Sequence, residues 1–292
     1  MTDDPFQAHR SLLFTVAYEL LGSAADAEDV VQETWLRWAG LDEAARAGVR
    51  DPRAYLVRIV TRQALNRLRT LARRREEYVG EWLPEPLLTS PDVADDVELA
   101  ESVSLAMLTV LETLGPVERA VLVLHEVFAV PYDEIAVAVG RSSAAVRQIA
   151  HRAREHVAAR RPRRSVGRAE QQQVVERFLS AVTAGDVQGL LDVLAPDVVV
   201  VADGGGLAPA SRRPLVGSAK VAAALARFAE FAPDVRMTTA LVNGAVGARL
   251  DPGGPFETAV AFLLENGRIS RMYAVRNPQK LGRLDAVSEL RR

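Results

Sequence analysis

The chain has 292 residues, which at roughly 100–200 residues per domain leaves room for two or three domains. It contains no cysteine, and this excludes disulfides, thiolate zinc sites and cysteine nucleophiles together. Its formal net charge of −2 conceals two densely basic stretches, Arg50 to Arg75 and Arg141 to Arg164, so a nucleic-acid partner is allowed; nearly all the basic residues of the chain are arginine, Lys220 and Lys280 being the only lysines.

Residues 5 to 21 carry one helical stripe, Phe6, Leu12, Leu13, Val16 and Leu20, ended by Gly22. Ser23 with Asp26 forms a capping box for a second helix. On that helix Val30, Val31, Trp35 and Trp38 mark the buried side, while Asp26, Glu28, Asp29, Gln32 and Glu33 make an acidic surface suited to the helix N-terminus or to a basic partner protein. Asp51 caps a third helix, whose inward positions are Tyr55, Leu56, Ile59, Val60, Ala64 and Leu68. Arg58, Arg62, Asn66, Arg69 and Arg73 recur at helical spacing on another side.

Periodicity fails from Tyr78 to about Val97, where Pro84, Pro86 and Pro91 stiffen a linker. Trp82 and Leu83 would be wasted in a free linker, so docking is expected. One helix over 98–114 and another from Leu114 follow. His125 lies among Val123, Leu124 and Val127 and reads as a packed residue.

From Pro131 to Arg160 the pattern is a helix-turn-helix: Ile135, Ala136 and Val139, then the turn glycine Gly140, the N-cap Ser142, and a second helix anchored by Val146, Ile149, Ala150 and Ala153. The second helix is basic, with Glu155 its one carboxylate, and Arg160, Arg161, Arg163 and Arg164 follow it. Such a stripe suits phosphate contact.

Two helices at about 170–184 and 186–194 come next, then the run VVVV at 198–201 ending in Asp203, Gly204, Gly205 and Gly206, and a helix at about 217–231. Strands at 235–243, 245–250, 256–264 and 268–275 are separated by Asn243-Gly244, Gly253-Gly254 and Asn266-Gly267. The expected architecture is multidomain: two all-α DNA-binding domains followed by an α+β domain. The boundaries fall at 1–77, 78–97 for the linker, 98–164 and 165–292.

The helix DAEDVVQETWLRW, the helix PRAYLVRIVTRQALNRLR and the segment LGPVERAVLVL…YDEIA…GRSSAAVRQIAHRAR resemble regions 2 and 4 of the extracytoplasmic-function (ECF) sigma factors. WLPEP at Trp82 to Pro86, DGGG at Asp203 to Gly206 and NPQKL at Asn277 to Leu281 resemble the SigJ-like group, which carries a SnoaL-like, cone-shaped domain behind region 4.

The resemblance implies that Asp29, Gln32, Glu33 and Trp35 bind core RNA polymerase. It implies that Arg58, Arg62, Gln63, Asn66 and Arg69 face the minus 10 promoter element, and that Arg141, Ser143, Arg147, Gln148 and Arg152 enter the major groove of the minus 35 element. It further implies a built-in regulator in which Trp82, Leu83, Pro84, Glu85 and Pro86 meet Asp203, Gly204, Gly205, Gly206, Asn277, Pro278, Lys280 and Leu281. Two departures stand out: family members commonly have Asn and Asp where this chain has Gln63 and Asn66, and the glycine motif ends here in Leu207 where lysine is usual.

The expected function is that of a cytoplasmic, non-enzymatic sigma factor whose partners are core polymerase and promoter DNA, with no cofactor, metal or membrane. A small-molecule ligand in the cone is left open. The alternatives are a helix-turn-helix regulator with a ligand-binding SnoaL-like domain and a SnoaL-type cyclase or isomerase. For the enzyme, only carboxylates such as Asp192, Asp197, Asp203, Glu257 or Glu265 could serve as base, since the domain lacks histidine. Asp203 reads more simply as part of a glycine turn.

Overall fold

The computed structural model describes residues 4–160, 167–251 and 253–292, without the side chains of residues 72–76. Arg161, Arg163 and Arg164 of the basic run, and the side chain of Arg73, lie outside the described residues. Two compact units emerge. One contains the chain up to Glu77, then Met107 to the end of the second helix of the helix-turn-helix, and the last residues from Glu289; the other contains Tyr78–Ala106 and the later chain as far as Ser288. The grouping differs from the expected boundaries, because residues 98–106 join the C-terminal unit and residues 289–292 join the helical one.

The helical unit begins with α1 (Pro5–Leu21), α2 (Ala24–Ala39), α3 (Glu43–Ala47) and α4 (Pro52–Glu76). Caps set these ends: Asp4 accepts from the Phe6 amide at 3.0 Å, Ser23 from the Asp26 amide at 3.2 Å and Asp51 from the Ala54 amide at 3.0 Å. Leu13, Val16, Tyr18, Leu56 and Val60 are fully buried where the helices meet. Trp35 departs from its expected place on the buried side, being 39% exposed and tilted against Phe6 at 6.0 Å. Trp38 is the buried one, and its indole donates to Asp4 at 2.9 Å. At 3.6 residues per turn, Trp35 lies roughly 60° round the helix from Trp38, at the edge of the buried row.

Between Tyr78 and Ala106 the chain forms a short strand, β1 (Leu88–Thr89), then α5 (Pro91–Asp95) and α6 (Val97–Val103). The single helix expected over 98–114 is in fact two. Ser104, at φ −57° and ψ 144°, breaks it before α7 (Leu105–Leu111), and its hydroxyl donates to the Glu101 carbonyl at 2.8 Å. A serine can bond local backbone in place of the helix ladder.

The helical unit resumes with α8 (Pro116–Glu126), α9 (Tyr132–Val139) and α10 (Ser143–Ala158). Gly140 takes the left-handed conformation at φ 68° that the sharp turn needs. Ser142 caps α10 by accepting from the Ala145 amide at 3.2 Å, and Val146, Ala150 and Ala153 are buried. Arg119 of α8 is 3% exposed, yet it donates to the carbonyls of Leu20 and Leu111 and to Glu112 at 2.8–2.9 Å. Burial lowers its pKa to about 10. His125 is packed as expected, stacked on Tyr132 at 4.0 Å with Nδ1 3.1 Å from the Val130 carbonyl.

The C-terminal unit continues with α11 (Arg168–Ala184), α12 (Val187–Val193), β2 (Leu194–Asp203), β3 (Leu215–Val216), α13 (Ser218–Phe231), β4 (Met237–Val242), β5 (Ala245–Leu250), β6 (Thr258–Glu265), β7 (Arg268–Val275) and β8 (Val287–Ser288). The strands form one eight-stranded sheet in the order β3-β2-β7-β6-β5-β4-β1-β8. Asn243-Gly244 and Asn266-Gly267 both have positive φ at each position, as two-residue hairpins require. Period-2 alternation then divides the sheet's side chains. Val198, Phe262 and Met272 face α11, α12 and α13, while Val201, Tyr273 and Val275 face Leu83, Leu105, Leu281 and Leu284. The linker thus covers one face of the sheet and also supplies a strand, β1, pairing antiparallel with β4 and parallel with β8.

Candidate functional site

Three groups of expected site residues can be placed. The first is the acidic surface of α2, where Asp29, Gln32 and Glu33 are exposed as expected. Neighbouring helices reach into it: Arg67 of α4 donates to Asp26 at 2.7 Å and to Asp29 at 2.5 Å, Arg10 of α1 pairs with Glu28, and Gln63 donates to Glu33 at 3.0 Å. The hydrogen bond to Asp26 is foremost in holding the Arg67 guanidinium above its usual pKa. Sequence reading missed Leu36, which is 66% exposed beside Trp35. Its signal was an apolar side chain off the buried row.

The second group lies on α4 and α10. Arg58, Arg62, Asn66 and Arg69 stack along one face, as spacings of three and four dictate. Asn66 and Arg69 are exposed and bonded to each other at 2.8 Å. Gln63 does not share this face: about 100° further round, it is buried and held by Glu33. Arg62 donates to the carbonyls of Val137 and Ala138, at 2.8 and 3.3 Å, so it is engaged by the last turn of α9. A cleft of about 430 Å³ beside it is lined by Leu36, Arg37, Tyr55, Arg58, Ile59 and Arg62, and the Arg58 guanidinium sits 5.3 Å from the Tyr55 ring centre. On α10 and the turn before it, Arg141, Arg147, Gln148 and Arg152 are exposed and Ser143 is half-buried. Only Arg147 among these has an aromatic neighbour in the described residues, Tyr132 at 6.0 Å.

The third group is the one that tertiary structure assembles most closely. Asp203, at the end of β2, is fully buried on the linker-covered face of the sheet. Its carboxylate accepts from the Tyr78 hydroxyl at 2.6 Å, the Leu83 amide at 2.9 Å and the Lys280 ammonium at 2.7 Å. Its carbonyl accepts from the amides of Arg276 and Asn277. Lys280 also donates to the Leu83 carbonyl and lies 4.1 Å from the Trp82 ring centre and 4.9 Å from that of Tyr78. Asn277 donates to the Tyr78 oxygen at 2.7 Å.

The glycines admit this approach. A Cβ on Gly205, whose φ is +58°, would stand 2.3 Å from the Asn277 amide nitrogen and 2.9 Å from the Tyr78 oxygen; one on Gly204 would stand 2.2 Å from the Ala208 carbonyl oxygen. Leu83, Pro84, Glu85, Pro86 and Leu281 are buried, whereas Pro278 is exposed. Sequence reading missed Tyr78, which precedes the WLPEP motif and carries no signal of its own. Burial first, then the bond to Asp203, raises its pKa. Leu207, at the position where lysine is usual in the group, is 59% exposed, and the ammonium that meets Asp203 is that of Lys280.

Among the described residues no group of three or more His, Asp or Glu could hold a metal ion, and no helix is long and apolar enough to cross a membrane. The other carboxylates considered as bases are spread out: Asp192 accepts from Gln188 at 3.1 Å and Glu257 pairs with Arg249 at 2.6 Å.

Comparison with known proteins covers most of the chain. Residues 5–74 match sigma-70 region 2, residues 104–157 match sigma-70 region 4, and residues 175–272 match the SnoaL-like domain. The chain is 40% identical over 292 residues to the ECF RNA polymerase sigma factor SigJ of Mycobacterium tuberculosis (strain ATCC 25618 / H37Rv), covering 94% of this chain and 91% of that protein. It is 38% identical over 196 residues to the probable ECF RNA polymerase sigma factor SigI of the same strain, covering 66% and 67%. The crystal structure of the Mycobacterium tuberculosis SigJ superposes with a TM-score of 0.76 at 37% identity, covering 96% of this chain and 98% of that one. With regions 2 and 4 in order and a SnoaL-like domain behind them, the chain belongs to the ECF RNA polymerase sigma factors, in the group typified by SigJ.

Proposed function

We propose that this sigma factor acts in the cytoplasm, binding core RNA polymerase through Asp29, Gln32, Glu33 and Trp35 of α2, with Leu36 beside them. An exposed tryptophan and leucine framed by carboxylates suit a basic, amphipathic helical partner. Arg58, Arg62, Asn66 and Arg69 face the minus 10 element, and the cleft beside Arg58 and Arg62 offers a place for an unstacked base. Gln63 has a different task, positioning Glu33. Arg141, Ser143, Arg147, Gln148 and Arg152 read the minus 35 element, where a bidentate arginine–guanine pair contributes about 1–3 kcal/mol of discrimination.

The C-terminal domain is a regulator and not an enzyme. One observation carries this reading: Asp203 binds the segment that connects regions 2 and 4, through Tyr78 and Leu83. The same carboxylate lies on the face of the sheet opposite the helices and is already bonded to three donors, which leaves it unsuited to abstracting a proton from a substrate in the cone. Holding the linker restricts the separations that regions 2 and 4 can adopt, and releasing it shifts that population. The helix-covered face of the sheet remains the place for a small-molecule ligand.

Run-off transcription from a genomic library with purified core polymerase tests both parts. Full-length protein should give transcripts that share two spaced promoter elements, and full-length Asp203→Asn should alter their yield without altering the elements. Absence of core binding and of any transcript would sink the interface assignments. Equal yield from the two proteins would sink the regulatory one. Truncation behind α10 is a poorer test, because it strips the cover from Leu83, Leu87 and Leu105, each nearly fully buried.

A further inference from the structure

On β7, Met272 and Ala274 face the helices, and Arg276 follows two residues on. The end of the sheet where Arg276 lies is more exposed than the core. Ala202 and Ala274, register partners on β2 and β7, are both half-exposed and leave a floor of small side chains. The core-facing row of α13, Val221 and Leu225, continues to Phe228, which is only half-buried. Phe228 and Phe231 each meet Phe256 edge-on with ring centres 6.0 Å apart, and Phe231 is 75% exposed.

The Arg276 guanidinium lies 5.9 Å from the Phe256 ring centre. Its Nη1 donates to the Pro209 carbonyl, its Nε is buried with no acceptor, and no carboxylate among the described residues lies within ion-pair distance. Burial lowers its pKa. A guanidinium half withdrawn from water, with its Nε shielded and no counter-ion, gains from an anionic partner.

We propose that this end of the cone binds a small aromatic carboxylate. The acid accepts from the Nε edge of the Arg276 fork, which Pro209 leaves open. The aromatic body lies on Ala202 and Ala274 against Phe228, and the exposed Phe231 ring and the half-buried Phe256 ring close over it edge-on. A planar guanidinium edge matches a planar carboxylate in a bidentate pair, and aromatic rings favour edge-on or offset contact with another ring. This assignment rests on the reading of the helix-covered face as a ligand site. It does not depend on the linker's regulatory role.

Titration calorimetry of the full-length protein with 2-naphthoate and its neutral analogue 2-naphthylmethanol tests it. Naphthoate should bind at least about tenfold more tightly than the alcohol, the worth of one charge-assisted pair. Arg276→Gln should remove that preference, and Phe231→Ser, at an exposed position, should weaken both ligands alike. A thermal melt of each variant verifies folding; should Arg276→Gln not fold, Arg276→Lys replaces it and should lose most of the preference with the fork. Naphthoate binding no tighter than the alcohol, or an undiminished preference in the Arg276 variant, would overturn the proposal. Transcription is not read, so a failed regulatory role for the linker leaves this test unaffected.

Discussion

The Tyr78 hydroxyl donates to the Asp203 carboxylate at 2.6 Å across 125 positions of sequence. The first residue belongs to the stretch between the two sigma regions and the second to the end of β2, so this bond and the Leu83 amide beside it fasten the linker to the C-terminal sheet. Lys280 balances the charge that this burial would otherwise leave bare.

Removing one partner of a buried ion pair costs about 3–5 kcal/mol. Lys280→Met should therefore lower the unfolding free energy of the full chain by roughly that amount, as urea titration would measure. Limited proteolysis should show new cleavage between Tyr78 and Thr89 before any in α1. Unchanged stability and cleavage would mean that the carboxylate is held without the ammonium.

Gly205 and Gly253 make a matched pair. Both have positive φ, but a Cβ at Gly253 meets nothing within 4 Å, while one at Gly205 collides with Asn277 and Tyr78. Gly253→Ala should lose about 1–2 kcal/mol, the cost of left-handed backbone alone. Gly205→Ala should lose more and release the linker to protease, which chemical denaturation and proteolysis together would detect.

Tyr78 gives the docking a signed pH dependence. Its pKa is raised above the usual 10.0, first by burial and then by the bond to Asp203. A group whose pKa rises on folding contributes stability that is whole below its unfolded value and is lost as pH climbs through the folded one. Docking should accordingly be insensitive to this group through neutrality and weaken only above about pH 10. Tyr78→Phe should be less stable at neutrality and show a shallower alkaline loss in denaturation curves taken from about pH 8 to 11.

Arg147→Ala and Gln63→Ala should separate reading from support. The first should reduce transcription from promoters with the intact minus 35 element by about tenfold and relax preference at one base, as run-off assays on substituted promoters would show. The second should cost about 1 kcal/mol of stability through the lost bond to Glu33, with base preference at the minus 10 element unchanged.

Much of this was legible in the sequence because it is local. The stripes Phe6 to Leu20 and Ile135 to Ala153, the caps Ser23, Asp51 and Ser142, the turn at Gly140 and the hairpins at Asn243 and Asn266 each depend on residues within a few positions of one another. Their physics is periodicity, hydrogen bonds to nearby amides and allowed φ. The order of the motifs then fixed the family.

Tertiary structure alone decided the rest. That Gln63 is buried against Glu33 and that Arg62 is engaged by the end of α9 depend on what lies across the fold. The linker was periodic in nothing, and only the sheet's second face made it ordered, by covering Leu83 and Leu105 and pairing β1 with β4. Tyr78 had no local reason to be singled out, and Lys280 was marked only by its motif. They matter because β2 ends in a carboxylate that burial would leave without partners, and chain closure over 125 and 77 positions brings its donors to it.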